Sequence, residues 1–106
     1  MRSPRLSEIR DEVLEELRRL KRELSGEVFL FGSYARGVHT LESDIDILVV
    51  SEMFEGLNYP ERVEKVRMKL REDLGFDIIA LTPREFEEKR EKAFYKDLSK
   101  HWVRVD

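Results

Sequence analysis

The sequence predicts an α+β fold, a small mixed β-sheet with helices packed on it, and three observations carry that prediction. A helical stripe of apolar residues runs through residues 5–24. Three short apolar runs, 27–31, 44–50 and 76–81, have the length and the β-branched or aromatic content of strands. The loop from Gly32 to Ser43 is too short for a full crossover helix, so the first two strands are expected to be antiparallel or tightly linked. That argues against a doubly wound parallel sheet. At 106 residues the chain is one domain's worth, 1–106, without repeats, linkers or low-complexity tracts.

Each element has its own reason. In RLSEIRDEVLEELRRLKREL (5–24), Leu6, Ile9, Val13, Leu17, Leu20 and Leu24 step by three or four along one face. Glu15 and Arg19 stand as an i,i+4 pair on the wet side, and Ser25-Gly26 is the expected stop. EVFLF (27–31), bounded by Gly26 and Gly32, reads as a buried strand, and DIDILVV (44–50) as the second. After a loop at 51–59, Pro60 starts a helix expected to reach Leu74, with Val63, Val66, Leu70 and Leu74 inward and Gly75 ending it. FDIIAL (76–81) is the third strand. TPRE then marks a helix start, with Thr82 as cap, Pro83 at the first position and Glu85 reaching back, and the helix is expected to run to Lys92. The tail, AFYKDLSKHWVRVD, is expected to hold a short helical turn and a last strand near 101–105.

The composition is 41% hydrophobic and 41% charged, with 20 basic and 23 acidic residues and a net charge of −3. A nucleic-acid-coating protein would be strongly basic, so no direct nucleic-acid partner is expected, although a local phosphate site is allowed. The chain has no cysteine, which rules out disulfides and thiolate metal sites. No signal peptide and no membrane-length apolar run is visible, so no membrane partner and a cytoplasmic location are expected. Gln is absent and Asn occurs once, at Asn58, a composition that suits a thermophile.

The chemistry is concentrated in FGSYARGVHTLESDIDILVV (31–50). Side chains two apart on a strand share a face, so Asp44 and Asp46 are expected side by side, with Ile45, Ile47 and Val49 on the other face. Two carboxylates in an apolar strand repel each other and resist desolvation. Either the pair sits at a solvated strand end, or a hard divalent cation such as Mg²⁺ resolves the conflict, with phosphate oxygens completing its shell. Gly32 lets a ligand approach the backbone, and Ser33 opens a short turn whose N–H groups and hydroxyl suit an anion. A phosphate cradle and a carboxylate pair are thus expected at the ends of neighbouring strands.

The stretch GSYARG…SDIDILVV resembles the signature of the polymerase-β-type nucleotidyltransferase superfamily. With its Arg-Gly and short length the chain is similar to the minimal nucleotidyltransferase (MNT) proteins, which are commonly encoded beside a HEPN-domain partner. The resemblance implies that Gly32 and Ser33 hold the triphosphate of ATP and that Asp44 and Asp46 hold metal ions. It also implies a third acid on the next strand, and Asp77 in FDIIAL fits, facing away from Phe76 and Ile78. A site for two Mg²⁺ ions is then expected, with Asp77 as a metal ligand or as acceptor of the attacking hydroxyl's proton. Arg36 is placed either on a phosphate or in a pair with an aspartate. Ser43 is placed as a turn cap or a phosphate contact. His39 has no partner signal and reads as a loop residue, while His101 and Trp102 read as packing or interface residues.

The function so implied is Mg²⁺-dependent transfer of a nucleoside monophosphate, AMP from ATP, to a hydroxyl. The chain has no residues for an acceptor domain, so the acceptor is expected on another chain. The resemblance supplies one, a tyrosine of a HEPN-type ribonuclease toxin, which would make this protein an antitoxin. The alternatives are a non-catalytic nucleotide-binding module that neutralises its partner by contact, and a transferase acting on a small molecule such as an aminoglycoside. Phe94, Tyr95, Trp102 and Val103 are expected either to meet the partner or to cover one edge of the sheet.

Overall fold

Residues 4–106 are described by a computed structural model, and its elements follow the expected order. Helix α1 (Pro4–Leu24) buries Val13, Leu17, Leu20 and Leu24 completely. It ends where Ser25 takes the left-handed conformation at φ 47°. Gly26 is required next to it for a different reason: a Cβ there would collide with the Val50 carbonyl. Strand β1 (Glu27–Phe31) leads into helix α2 (Gly32–Arg36), and a loop then reaches β2 (Ile45–Val50). Asp44 therefore stands just before the strand that was expected to contain it.

A 3-10 turn at Glu52–Phe54 interrupts the expected loop and buries Phe54, capped by the Ser51 hydroxyl, which accepts from Met53 N at 3.1 Å. Helix α3 (Tyr59–Arg67) starts from Asn58, which exchanges bonds with Glu61 in a capping box. It stops well short of Leu74. The reason is tertiary: buried Glu16 of α1 accepts from Arg71 N at 2.7 Å, and Arg19 donates to the Lys69 carbonyl. These bonds hold a turn in which Lys69 and Leu70 amides bond three residues back, yet Leu70 still reaches the core. The same contacts redirect the α1 charges. In place of the expected Glu15–Arg19 pair, Arg18 meets Glu15 at 2.6 Å, and Arg19 meets Glu16 and Glu23 at 2.9 and 3.0 Å.

Strand β3 (Phe76–Leu81) is followed by α4 (Pro83–Lys89), whose Thr82–Glu85 capping box is as expected although the helix ends before Lys92. Helix α5 (Ala93–Ser99) and strand β4 (Val103–Arg104) complete the chain. The sheet order is β3-β2-β1-β4, with β1 antiparallel to both β2 and β4 and β2 parallel to β3. The sheet is mixed, as predicted.

Alternation divides the sheet into two unequal faces. One, with Val28, Leu30, Ile45, Ile47, Val49, Phe76, Ile78 and Ala80, packs on α1 and α3 in the main core. The other has a smaller cluster, Phe29, Leu48, Val50 and Leu81, covered by Phe86, Tyr95 and Trp102. Trp102 lies 4.3 Å from Phe29 between ring centroids, and Val103 pairs with Leu30. Three of the four tail residues considered for an interface therefore belong to the fold. Phe94 is the exception, 58% exposed and edge-on to Tyr95. His101 is exposed. Among the described residues no helix is long and apolar enough to cross a membrane.

Arg62 of α3 grips both carboxylate oxygens of Glu85 at the start of α4. That bond, then the Thr82 amide, brings the Glu85 carboxyl from the usual 4.5 down to about 2. A depressed acid contributes stability above its unfolded pKa and loses it as pH falls toward the folded one. Glu85→Gln is expected to cost about 1 kcal/mol at pH 7, allowing for solvent screening. The gap to wild type should close as pH drops from about 4.5 to about 2, which urea melts across that range would measure.

Candidate active site

The site begins where β1 runs out. Phe31 is extended at φ −134° and ψ −174°, and Gly32 then turns left-handed at φ +71°. A side chain at position 32 would meet a second obstacle, since a Cβ there would collide with Asp46 Oδ2. The glycine backbone is thus pressed against a carboxylate of the neighbouring strand. Helix α2 follows for only five residues without a side-chain cap and closes on Gly37, another left-handed residue at φ +73°.

Sheet register places the acids. Phe31 is paired with Asp46 on β2, and Asp46 with Asp77 on β3. The Gly32 turn and two carboxylates therefore form one row across three adjacent strands, on the sheet face opposite the main core. Asp77 faces away from buried Phe76 and Ile78, as expected, and is exposed. Asp44 is also exposed, at the mouth of the strand. It lies beside the start of β3, because a Cβ on Gly75 would be 3.7 Å from its Oδ1.

Asp46 is the half-buried centre of the group. Burial pushes its carboxyl above the usual range, and the charges of Asp77 and then Asp44 push it the same way. No cation is among the groups acting on it, and Arg36 is exposed at the end of α2. Ser33 is half-buried at the start of the turn. The Ser43 hydroxyl accepts from Thr40 N at 2.8 Å, and Ser43 N donates to the Thr40 carbonyl at 3.2 Å, so the residue closes its own loop.

Among the described residues no group of three or more His, Cys, Asp or Glu converges as a ready metal site. The carboxylates are close enough to repel and not drawn to one point. Their chemistry nonetheless fits a hard divalent cation: three oxygen-donor groups, uncompensated charge, and a glycine cradle that a Cβ would fill.

Sequence reasoning missed His39. It is buried, at 2% exposure, and its ring stacks on Tyr34 of α2 with centroids 4.1 Å apart. A lone histidine in a loop carries no periodic signal, and its contacts exist only in three dimensions.

Comparison with known proteins shows the family and the fold. A family profile described as the nucleotidyltransferase domain matches residues 10–104. A candidate protein adenylyltransferase of Methanocaldococcus jannaschii is 28% identical over 101 residues, spanning 89% of this chain and 99% of that protein. A second protein of that description from the same organism is 40% identical over 78 residues, 67% of this chain and 75% of its own. Among solved structures, a candidate nucleotidyltransferase from Sulfolobus solfataricus has a TM-score of 0.66 at 28% identity, covering 97% of this chain and 87% of that one. A toxin–antitoxin structure with AMP-PNP has a TM-score of 0.64 at 21% identity, covering 88% and 72%. At that identity the likeness is one of fold.

Proposed function

The chain belongs to the nucleotidyltransferase domain family, and on that premise we propose that it transfers AMP from ATP to a hydroxyl on a protein partner. The observation that carries this reading is the row of Gly32, Asp46 and Asp77 across adjacent strands. Gly32 and Ser33 receive the triphosphate, the first by leaving its backbone open and the second through its hydroxyl. Arg36, exposed at the end of α2, serves the phosphates from the solvent side. Asp44, Asp46 and Asp77 hold Mg²⁺, in a two-ion arrangement. When bound, the ions supply charge neutralisation at the transferring phosphoryl group and at the leaving pyrophosphate.

The chain's own part is positioning, which dominates phosphoryl transfer. The acceptor oxygen bonds to the α-phosphorus as the bond to pyrophosphate breaks, and the hydroxyl proton passes to Asp77, an exposed carboxylate. A protein acceptor is supported by the descriptions of the M. jannaschii relatives. The toxin–antitoxin neighbour supports a toxin as that partner. A HEPN-type ribonuclease with an acceptor tyrosine completes the reading and makes this chain its antitoxin.

Incubation with ATP labelled at the α-phosphate, Mg²⁺ and the HEPN-type partner is expected to label the partner by one or more AMP masses on tyrosine. ATP and Mg²⁺ together should raise the melting temperature of the protein more than either alone. Asp77→Asn should lose labelling and keep most of that shift. An inhibited but unlabelled partner would assign the chain to the contact-only class, and a missing joint shift would remove the nucleotide site altogether.

A further inference from the structure

We propose that His39 is a positioning residue that, together with Arg10, holds the Gly32–Ser33 turn against the N-terminal half of α1. Its consequence for transfer rests on the function proposed above; its consequence for the turn itself does not.

Helix α2 has five residues and no side-chain cap at its start. So short a helix cannot order itself, because nucleation alone outweighs the few bonds it makes. Its order must come from outside: Tyr34 is buried in the main core, and two ties from α1 add to that hold. Arg10 Nε donates to the Tyr34 carbonyl at 2.9 Å. His39 Nε2 lies 2.9 Å from the Leu6 carbonyl. A carbonyl only accepts, so Nε2 carries a proton and donates it to that bond. Leu6 and Arg10 are four apart and share one face of α1.

Both ties hold the chain that follows the Gly32–Ser33 turn. Tyr34, 3% exposed, is the residue after Ser33, and the His39 ring stacks on it with the planes 19° apart. His39 itself stands in the loop that runs on to Asp44. One buried stack thus joins the phosphate side of the site to the carboxylate side and anchors both on a long helix. A site held to within a fraction of an ångström needs such support beneath the residues that touch the substrate.

The test uses the full chain with three substitutions. His39→Leu removes the stack and the donor, His39→Gln keeps an N–H donor near the Nε2 position, and Val66→Ala removes buried bulk from α3 as a stability control. Without nucleotide, exchange of the Gly37 and Val38 amides, which bond the Tyr34 and Ser33 carbonyls, should quicken roughly 10-fold in His39→Leu relative to the α1 core. With partner, ATP and Mg²⁺, the same variant should raise KM for ATP and lower kcat, each by roughly 10-fold. His39→Gln, which restores the donor but not the stack, should recover part of both. Val66→Ala should melt lower than wild type yet leave KM and kcat of the folded protein unchanged. Wild-type exchange at Gly37 and Val38 in His39→Leu, failure of Gln to rescue, or equal effects from Val66→Ala would overturn the proposal. Should His39→Leu not fold, Arg10→Met cuts the other tie and is read the same way. If the wild-type protein transfers nothing, the exchange measurement still decides the role of His39, and only the transfer reading falls.

Discussion

Asp46→Asn is expected to cut transfer by orders of magnitude and to make the free protein more stable. The carboxylate is half-buried, and its neighbours worsen its position: burial, then Asp77, then Asp44, all disfavour the charge. Asn keeps the shape against Gly32 and removes the charge. Transfer should fall by roughly 10²–10³-fold, the scale of losing one preorganised electrostatic contact at a reacting phosphoryl group. The melting temperature of the ligand-free protein should rise by a few degrees, since ~1 kcal/mol moves a domain of this size by ~4–8 °C. The sign with pH follows. An acid whose folded pKa is raised destabilises the fold above that pKa, and the penalty is relieved as pH falls through it. The advantage of Asp46→Asn should therefore shrink on acidification and vanish below the ordinary carboxyl pKa of 3.8. Calorimetry at pH 7 and pH 3, beside a labelling assay, measures both. A variant that transfers normally would separate Asp46 from the reaction, and one no more stable at pH 7 would remove the charge penalty argued for it.

The features that were legible in the sequence are those that depend on local period. The strand alternation of DIDILVV placed Asp46 opposite the core, and FDIIAL did the same for Asp77. The Thr82–Glu85 capping box was readable because both partners lie within one turn of helix. Register was not readable. Nothing in either strand says that Asp46 lies beside Asp77, a pairing that depends on how the intervening chain returns over the sheet. The end of α3 was lost for a related reason. Val63, Val66, Leu70 and Leu74 keep the helical period, but Glu16 and Arg19, some fifty residues earlier, take the backbone of the turn that follows Arg67. Tertiary hydrogen bonds overrode a correct apolar pattern. His39 escaped because a contact across 33 residues leaves no pattern in the sequence.

The tail shows the opposite case. Its aromatic surplus was visible, and its destination was not. The second face of the sheet is only partly covered, and Trp102, Tyr95 and Phe86 close the end away from the aspartates. The open remainder is where the carboxylate row lies. Covering one end stabilises the sheet, and the other, bare end leaves Asp46 and Asp77 open to what the proposed reaction would bring them. Of the four tail residues, Phe94 alone is left exposed for a partner to meet.

Gly32→Ala is expected to remove nucleotide binding, and comparison with two other glycines isolates the cause. Gly32, Gly37 and Gly56 share nearly the same left-handed backbone, at φ +71°, +73° and +80°. Alanine at any of them carries the same strain, about 1–2 kcal/mol. The surroundings differ. A Cβ on Gly37 or Gly56 meets nothing within 4 Å, whereas one on Gly32 collides with Asp46 Oδ2. Gly56→Ala and Gly37→Ala should therefore lower the melting temperature by similar amounts. Gly32→Ala should lower it further or force Asp46 out of the row. The ATP–Mg²⁺ stabilisation should then be lost and transfer reduced by roughly 10²-fold or more, as misplacement by about 1 Å entails. Gly56→Ala should retain wild-type transfer per folded molecule. If all three variants lose transfer equally, backbone strain alone explains the effect and the close approach of Gly32 to Asp46 has no catalytic meaning. If Gly32→Ala alone fails, the contact between a bare backbone and a carboxylate of the next strand is what brings phosphate and metal ligands together.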